Sequence, residues 1–189
     1  MKIINRIKAG ARVAPALLII LYYLFIILDI YTTYLATPDL KYEGNWIVRF
    51  FNLNWSQFII FYSLIGLFVT LGLLIALNYL HKYYQENIKD SETFILEAFH
   101  NKKILISFIM LGCFYSHIIN LVHITINNYL SFIYLFRIEN ALSKISTFYI
   151  YHQSFFLHYI QVVPIIIGYV IAADKVKKIR NKYRTLSLG

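Results

Sequence analysis

Charge is the scarcest property of this chain. Of its 189 residues only 14% are charged and nine are acidic, whereas 59% are hydrophobic and the mean hydropathy is +0.60. Soluble domains carry about 25% charged residues, so the shortage excludes an ordinary water-soluble domain. Cysteine is almost missing too. Cys113 stands alone inside an apolar stretch, which excludes an intramolecular disulfide and leaves the redox compartment unread. No H-E-x-x-H sequence occurs, so the helical zinc-protease pattern is lacking. There is no internal repeat and no low-complexity tract. The first apolar run, from Val13 to Ile30, outlasts the roughly 7 to 15 residues of a secretion-signal core, and no small-x-small cleavage site follows it. It reads as a retained helix.

What is present is a series of long apolar runs. A hydrocarbon core about 30 Å thick needs roughly 20 apolar residues per helix, so the length allows four or five crossings and no separate soluble domain. The expected fold is all-α: an integral membrane bundle of four transmembrane helices, with short interfacial helices in the outer connectors. Residues 1–189 form a single transmembrane domain, with helices at about 12–35, 56–80, 103–127 and 154–173 and a basic cytoplasmic tail at 174–189. Pro15 is tolerated in a first turn, and Pro164 is expected to kink the fourth helix.

Orientation follows from Lys and Arg near the helix ends. Lys2, Arg6, Lys8 and Arg12 precede the first helix; Lys82, Lys89, Lys102 and Lys103 fill the second connector; Lys175, Lys177, Lys178, Arg180, Lys182 and Arg184 follow the fourth helix. The other two connectors hold only Lys41, Arg49, Arg137 and Lys144. The chain is therefore expected in the cell membrane as a multi-pass protein with both termini cytoplasmic. The formal charge of +9 is explained by this bias, so no nucleic acid partner is expected. The bilayer itself is the partner, and the tail KVKKIRNKYR should attract anionic lipid.

The connectors have their own pattern. In NWIVRFFN, Asn45, Arg49 and Asn52 share one helical face while Trp46, Ile47, Phe50 and Phe51 share the other, which suits a helix lying in the outer interface. Asp90 or Ser91 can cap a short inner helix whose Phe94, Ile95, Ala98 and Phe99 share a face. Around Arg137, Glu139, Asn140 and Lys144 the third connector is too polar to cross, and reads as an interfacial or re-entrant segment.

Polar groups at membrane depth are costly and mark functional sites by default. Asp29 lies about 25 Å above Arg12 along the helix, with Thr32 and Thr33 a turn later; His117, Asn120 and His123 lie about 21, 25 and 30 Å above Lys103. On the third helix Cys113, Ser116, His117, Asn120, His123 and Asn127 share an arc of about 140°. On the fourth, Ser154, His158, Gln161, Gly168 and Ala172 recur on one face. The expected site is an outer-leaflet polar cavity of Asp29, Thr33, Glu43, Asn45, His117, Asn120, His123 and His158. Carboxylates and imidazoles suit a divalent metal such as zinc, manganese or iron, with Asp29, Glu43, His117 and His158 as candidate ligands, and equally suit proton transfer. His117 and His123 are too far around a straight helix to chelate one ion. Asp29 alone can also serve as a hydrogen-bonding residue, His152 as an interface residue, and Ser63, Gly66 and Thr70 as a close-packing face.

The segment LDIYTTYLATPDLKYEGN resembles the first-helix signature of a family of small prokaryotic four-helix membrane proteins, in which an Asp and a following Thr precede Glu-x-Asn-Pro. Asp29, Thr33, Glu43 and Asn45 match it, and Trp46 replaces the Pro. The likeness covers about the first 50 residues, with Asn127 and Asn128 matching more loosely. It implies the four-helix architecture and a role for these positions, and carries no settled activity.

Three functions remain open. The first is binding or conduction of a cation or proton. Apart from Thr70 and Cys113 the inner half offers few polar residues, so a through-path would need a homo-oligomer with a pore between subunits. The second is a metal-dependent intramembrane hydrolase or transferase acting on lipid or peptide, with Asp29 or Glu43 as base. The third is a non-enzymatic regulator or interaction partner whose polar cluster fixes helix register.

Overall fold

The computed structural model describes residues 2–40, 48, 50–87, 97, 100–136, 138, 142–148 and 162–187, with helical side chains described from Pro15 onward. The expectations for Glu43, Asn45, Trp46, Ile47, Arg49, Asp90, Ser91, Phe94, Ile95, Ala98, Phe99, Arg137, Glu139, Asn140, His152, Ser154, His158 and Gln161 lie outside the described residues. Four long helices follow in order: α1 Lys2–Ala36, α2 Trp55–Glu86, α3 Lys102–Leu135 and α4 Val162–Ser187. No strand occurs among the described residues.

Helices α2, α3 and α4 run on past their expected C-terminal ends for local reasons. Past Leu80, α2 continues through HKYYQE to Glu86, and past Ala173, α4 continues through DKVKKIRNKYRTLS to Ser187. Both extensions are rich in Lys, Arg, Gln and Glu and contain no Gly or Pro, so nothing in them stops a helix. The basic tail is helical as far as Ser187. In α3, Asn127 and Asn128 do not end the helix, which runs on to Leu135. The kink expected at Pro164 lies at the edge of the described residues, two positions after Val162.

Among the described residues, three helices are long and apolar enough to cross a membrane: Pro15–Ala36, Trp55–Glu86 and Lys102–Leu135. Their outward faces fit that reading, because Leu17, Ile20, Leu24, Ile27, Tyr31 and Tyr34 form an exposed stripe along α1. Water-soluble proteins rarely leave such a patch uncovered. In α4 the apolar stretch 162–173 is followed by Asp174 and a run of basic residues, and the rest of the expected fourth span lies outside the described residues.

The chain groups into two compact units, one of residues 1–66 and 121–157, the other of 67–120 and 158–189. In the first, Tyr22, Ile26, Asp29 and Thr33 form the buried stripe of α1. Their spacing of four, three and four residues is the helical one. Gly66 of α2 packs on Ile26 so closely that an added Cβ would stand 2.8 Å from its Cδ1. After α1, Trp55 donates its indole N–H to the Pro38 carbonyl at 2.6 Å, and Leu40, Val48 and Phe58 form a small core. Leu40 has a φ of 57°, a left-handed value unusual for a leucine, and is held there as one of the three core residues. A reciprocal capping box opens α2: Asn54 Oδ1 accepts from the Gln57 N–H and Gln57 Oε1 accepts from the Asn54 N–H, both at 3.0 Å. Phe50 and Phe51 are exposed beside it. Beyond α3, residues 143–148 are helical, and Ser146 donates to the Leu130 carbonyl at 2.6 Å. Ser146 is thereby fastened to the last turns of α3.

In the second unit, Gly72 of α2 faces Met110 of α3, and Gly112 and Ser116 of α3 face Tyr169 and Gly168 of α4. On α2 the buried stripe is Thr70, Leu73, Leu77, Leu80 and Tyr84; on α4 it is Pro164, Gly168, Ala172, Val176 and Ile179. Ser63, expected on the packing face with Gly66 and Thr70, is instead exposed.

Candidate functional site

The buried stripe of α1 carries the site. Asp29 is 0% exposed, Thr33 2% and Thr32 6%. Two of these groups are joined by one side chain from α3: the Asn128 amide donates to Asp29 Oδ1 at 3.2 Å and to Thr33 Oγ1 at 2.8 Å. Both protons of one NH2 group are thus directed at two oxygens one helical turn apart. The hydroxyls of α1 are partly turned inward on their own helix. Thr32 donates to the Asp29 carbonyl and Thr37 to the Thr33 carbonyl, each at 3.1 Å. Such back-bonding shields hydroxyl and carbonyl together.

The arrangement can accommodate Asp29 in either protonation state. An ionised carboxylate only accepts hydrogen bonds, whereas a carboxylic acid also donates one. Asn128 and Thr33 each contain a donor and an acceptor, so both forms of Asp29 can be satisfied by the same neighbours. Carboxylate, hydroxyl and amide oxygens are also hard ligands, suited to alkali or alkaline-earth cations rather than to soft metals.

The expected site residues fall as follows. Asp29 and Thr33 are brought together with Asn128. His123 is half-buried in the same unit, and His117 and Asn120 are half-buried in the second unit. Among the described residues no group of three or more His, Cys, Asp or Glu could hold a metal ion. Glu43, Asn45 and His158 lie outside the described residues, so a divalent-metal site now depends on them.

Asn128 is the residue that reading by depth passed over. It stands about 37 Å above Lys103, beyond a 30 Å core, and about 20° outside the polar arc of α3. The only signal for it was the loose match of Asn127 and Asn128 to the family signature. The lower part of that polar arc meets α4. Ser116 donates to the Ile165 carbonyl at 3.4 Å, and Cys113 Sγ lies 3.8 Å from Tyr169 Oη. Comparison with known proteins finds no matching family model, no matching curated protein and no matching solved structure.

Proposed function

We propose that this chain is a four-span protein of the cell membrane, termini inside, in which Asp29 takes up a proton or a small monovalent cation from the outer face. The observation that carries the reading is a wholly buried carboxylate on a membrane-length helix, held with Thr33 by one amide of another helix. Ionisable groups at such depth are rare outside ion and proton sites. The amphoteric neighbours Asn128 and Thr33 serve the loaded and the empty state alike. The orientation rests on the excess of Lys and Arg around residues 2–12, 82–103 and 175–184. The fourth span rests on the apolar stretch 162–173 together with the sequence before it.

Reconstitution in liposomes loaded with a pH-sensitive dye, or with a sodium indicator, tests the proposal. Wild type should carry protons or sodium and Asp29→Asn should not, while the two proteins melt alike. An inactive wild type at every pH and membrane potential would overturn it.

The same hydrogen bonds favour a second reading. They fasten α1 to α3, so the cluster can act as a register lock in a non-enzymatic regulator. In that case wild type carries nothing, and Asp29→Leu lowers the melting temperature markedly. The intramembrane hydrolase reading is tested by metal analysis of the purified protein, since it requires a bound divalent ion.

A further inference from the structure

We infer that the lysine-bearing ends of α2, α3 and α4 form one docking surface for anionic phospholipid headgroups. The inference is independent of what Asp29 binds. Its basis is the register of the second unit. Tyr79 of α2 meets Lys103 of α3, whose Nζ lies 6.0 Å from the ring centre, just as Gly72 meets Met110. These pairs run in opposite directions, so α2 and α3 are antiparallel. Gly112 and Ser116 meet Tyr169 and Gly168 in the same sense, which makes α3 and α4 antiparallel.

Carrying both registers to the helix ends sets Lys103, Tyr79 and Lys178 at one level. Lys82, Lys102, Lys177 and Arg184 then lie within about 10 Å of that level along the helix axes. All six basic side chains are exposed, against two exposed acidic ones in the described part of this unit, Glu86 and Asp174. Asp174 pairs with Lys178 at 2.7 Å. Glu97 is turned inward, accepting from Tyr84 Oη at 2.9 Å and from Arg180 Nε at 3.4 Å. His100 is exposed, and His81 is engaged with Tyr183 at 3.2 Å. Burial pushes the Tyr183 phenol above its ordinary range, so it stays protonated beside His81 Nδ1. These contacts, with Val176 and Ile179 buried, fix the basic segment of α4 as an ordered helix rather than a loose tail.

The surface is amphiphilic, which distinguishes a lipid from a free anion. Leu105 and Ile106 are exposed one turn from Lys102 and Lys103; Ile75 is exposed on α2, and Val170 and Ile171 on α4. A phosphodiester can sit on the lysines while its acyl chains cover these apolar side chains. Each lysine near an anionic membrane surface contributes about five-fold in affinity.

The test places the full chain in nanodiscs of mixed phosphatidylcholine and phosphatidylglycerol and measures the lipid retained after detergent extraction. Wild type should retain phosphatidylglycerol several-fold above its bulk share, less so at high salt. Lys102→Gln, Lys103→Gln, Lys177→Gln and Lys178→Gln combined should return the ratio to bulk, while Lys144→Gln changes nothing. All five sites are exposed, and a melting curve checks that each variant is folded. Bulk composition around the wild type, or enrichment that persists in the quadruple variant, would overturn the inference. Displacement of the lipid by soluble glycerol phosphate would overturn it too, and assign the surface to a free phosphate compound.

Discussion

In the first unit the carboxylate of Asp29 is enclosed completely, and its named neighbours Asn128 and Thr33 are neutral. In the second, the carboxylate of Glu97 sits at the helix ends, 13% exposed, against a neutral phenol and the Arg180 guanidinium. One acid is fully buried and held by an amide from another helix; the other is partly exposed and salt-bridged. The difference teaches where free energy is stored. Breaking a hydrogen bond to a buried carboxylate leaves its desolvation uncompensated, whereas water can replace a lost partner at a half-open ion pair. Packing follows a third rule, because backbone cannot move aside for an added atom.

The largest effect should come from packing. A Cβ at Gly168 would run into the backbone of Ser116, so Gly168→Ala should cost about 3 kcal/mol, and Gly168→Leu should abolish folding. Gly72 is the control, since its nearest neighbour across the helix pair is Met110 at 3.9 Å, and Gly72→Ala should be nearly neutral. Melting in detergent separates the two. Equal tolerance at both positions would dissolve the register from which the levels of the second unit were read.

Next in size is the buried cluster. Asn128→Leu removes the donor to Asp29 and Thr33, and should cost about 1–3 kcal/mol. The double variant Asp29→Leu, Asn128→Leu should recover part of that loss, because neither group is then left without its partner. Additive losses would show that the two side chains do not communicate, and would remove the basis of the site.

That cluster also marks how far the sequence could be read. Three long apolar helices and the buried position of Asp29 and Thr33 follow from helical period and the cost of polar groups in hydrocarbon. The partner did not follow, because Asn-Asn after a long apolar run looks like a helix terminus and α3 runs on to Leu135. A ruler laid along one helix gives depth but not which neighbour lies opposite. Tyr84, Glu97 and Arg180 were missed for a related reason. Each looked like an ordinary residue of an inner connector or tail, and their meeting depends on α2 and α4 both continuing past the apolar stretch.

A smaller effect belongs to the third connector. Ser146 is 0% exposed and its bond to the Leu130 carbonyl is 2.6 Å, so Ser146→Ala should cost about 1 kcal/mol. Hydrogen exchange should then quicken in residues 143–148 and leave α1 unchanged. Uniform quickening throughout the unit would mean that the connector supports the helices rather than merely resting on them.

Smallest of all should be Glu97→Gln. The amide keeps an oxygen for Arg180, and its NH2 can donate to Tyr84 Oη, which accepts as readily as it donates. Both links survive with one role reversed, and what disappears is the charge assistance of a pair 13% and 21% exposed. Partly exposed ion pairs contribute roughly 0.2–1 kcal/mol, too little to move the melting temperature clearly. The readout is therefore local: amide exchange across 176–187 should rise a few-fold while the rest of α4 holds. A collapse of the whole molecule would place Glu97 with Asp29 among the buried acids, and the contrast between the two units would be gone.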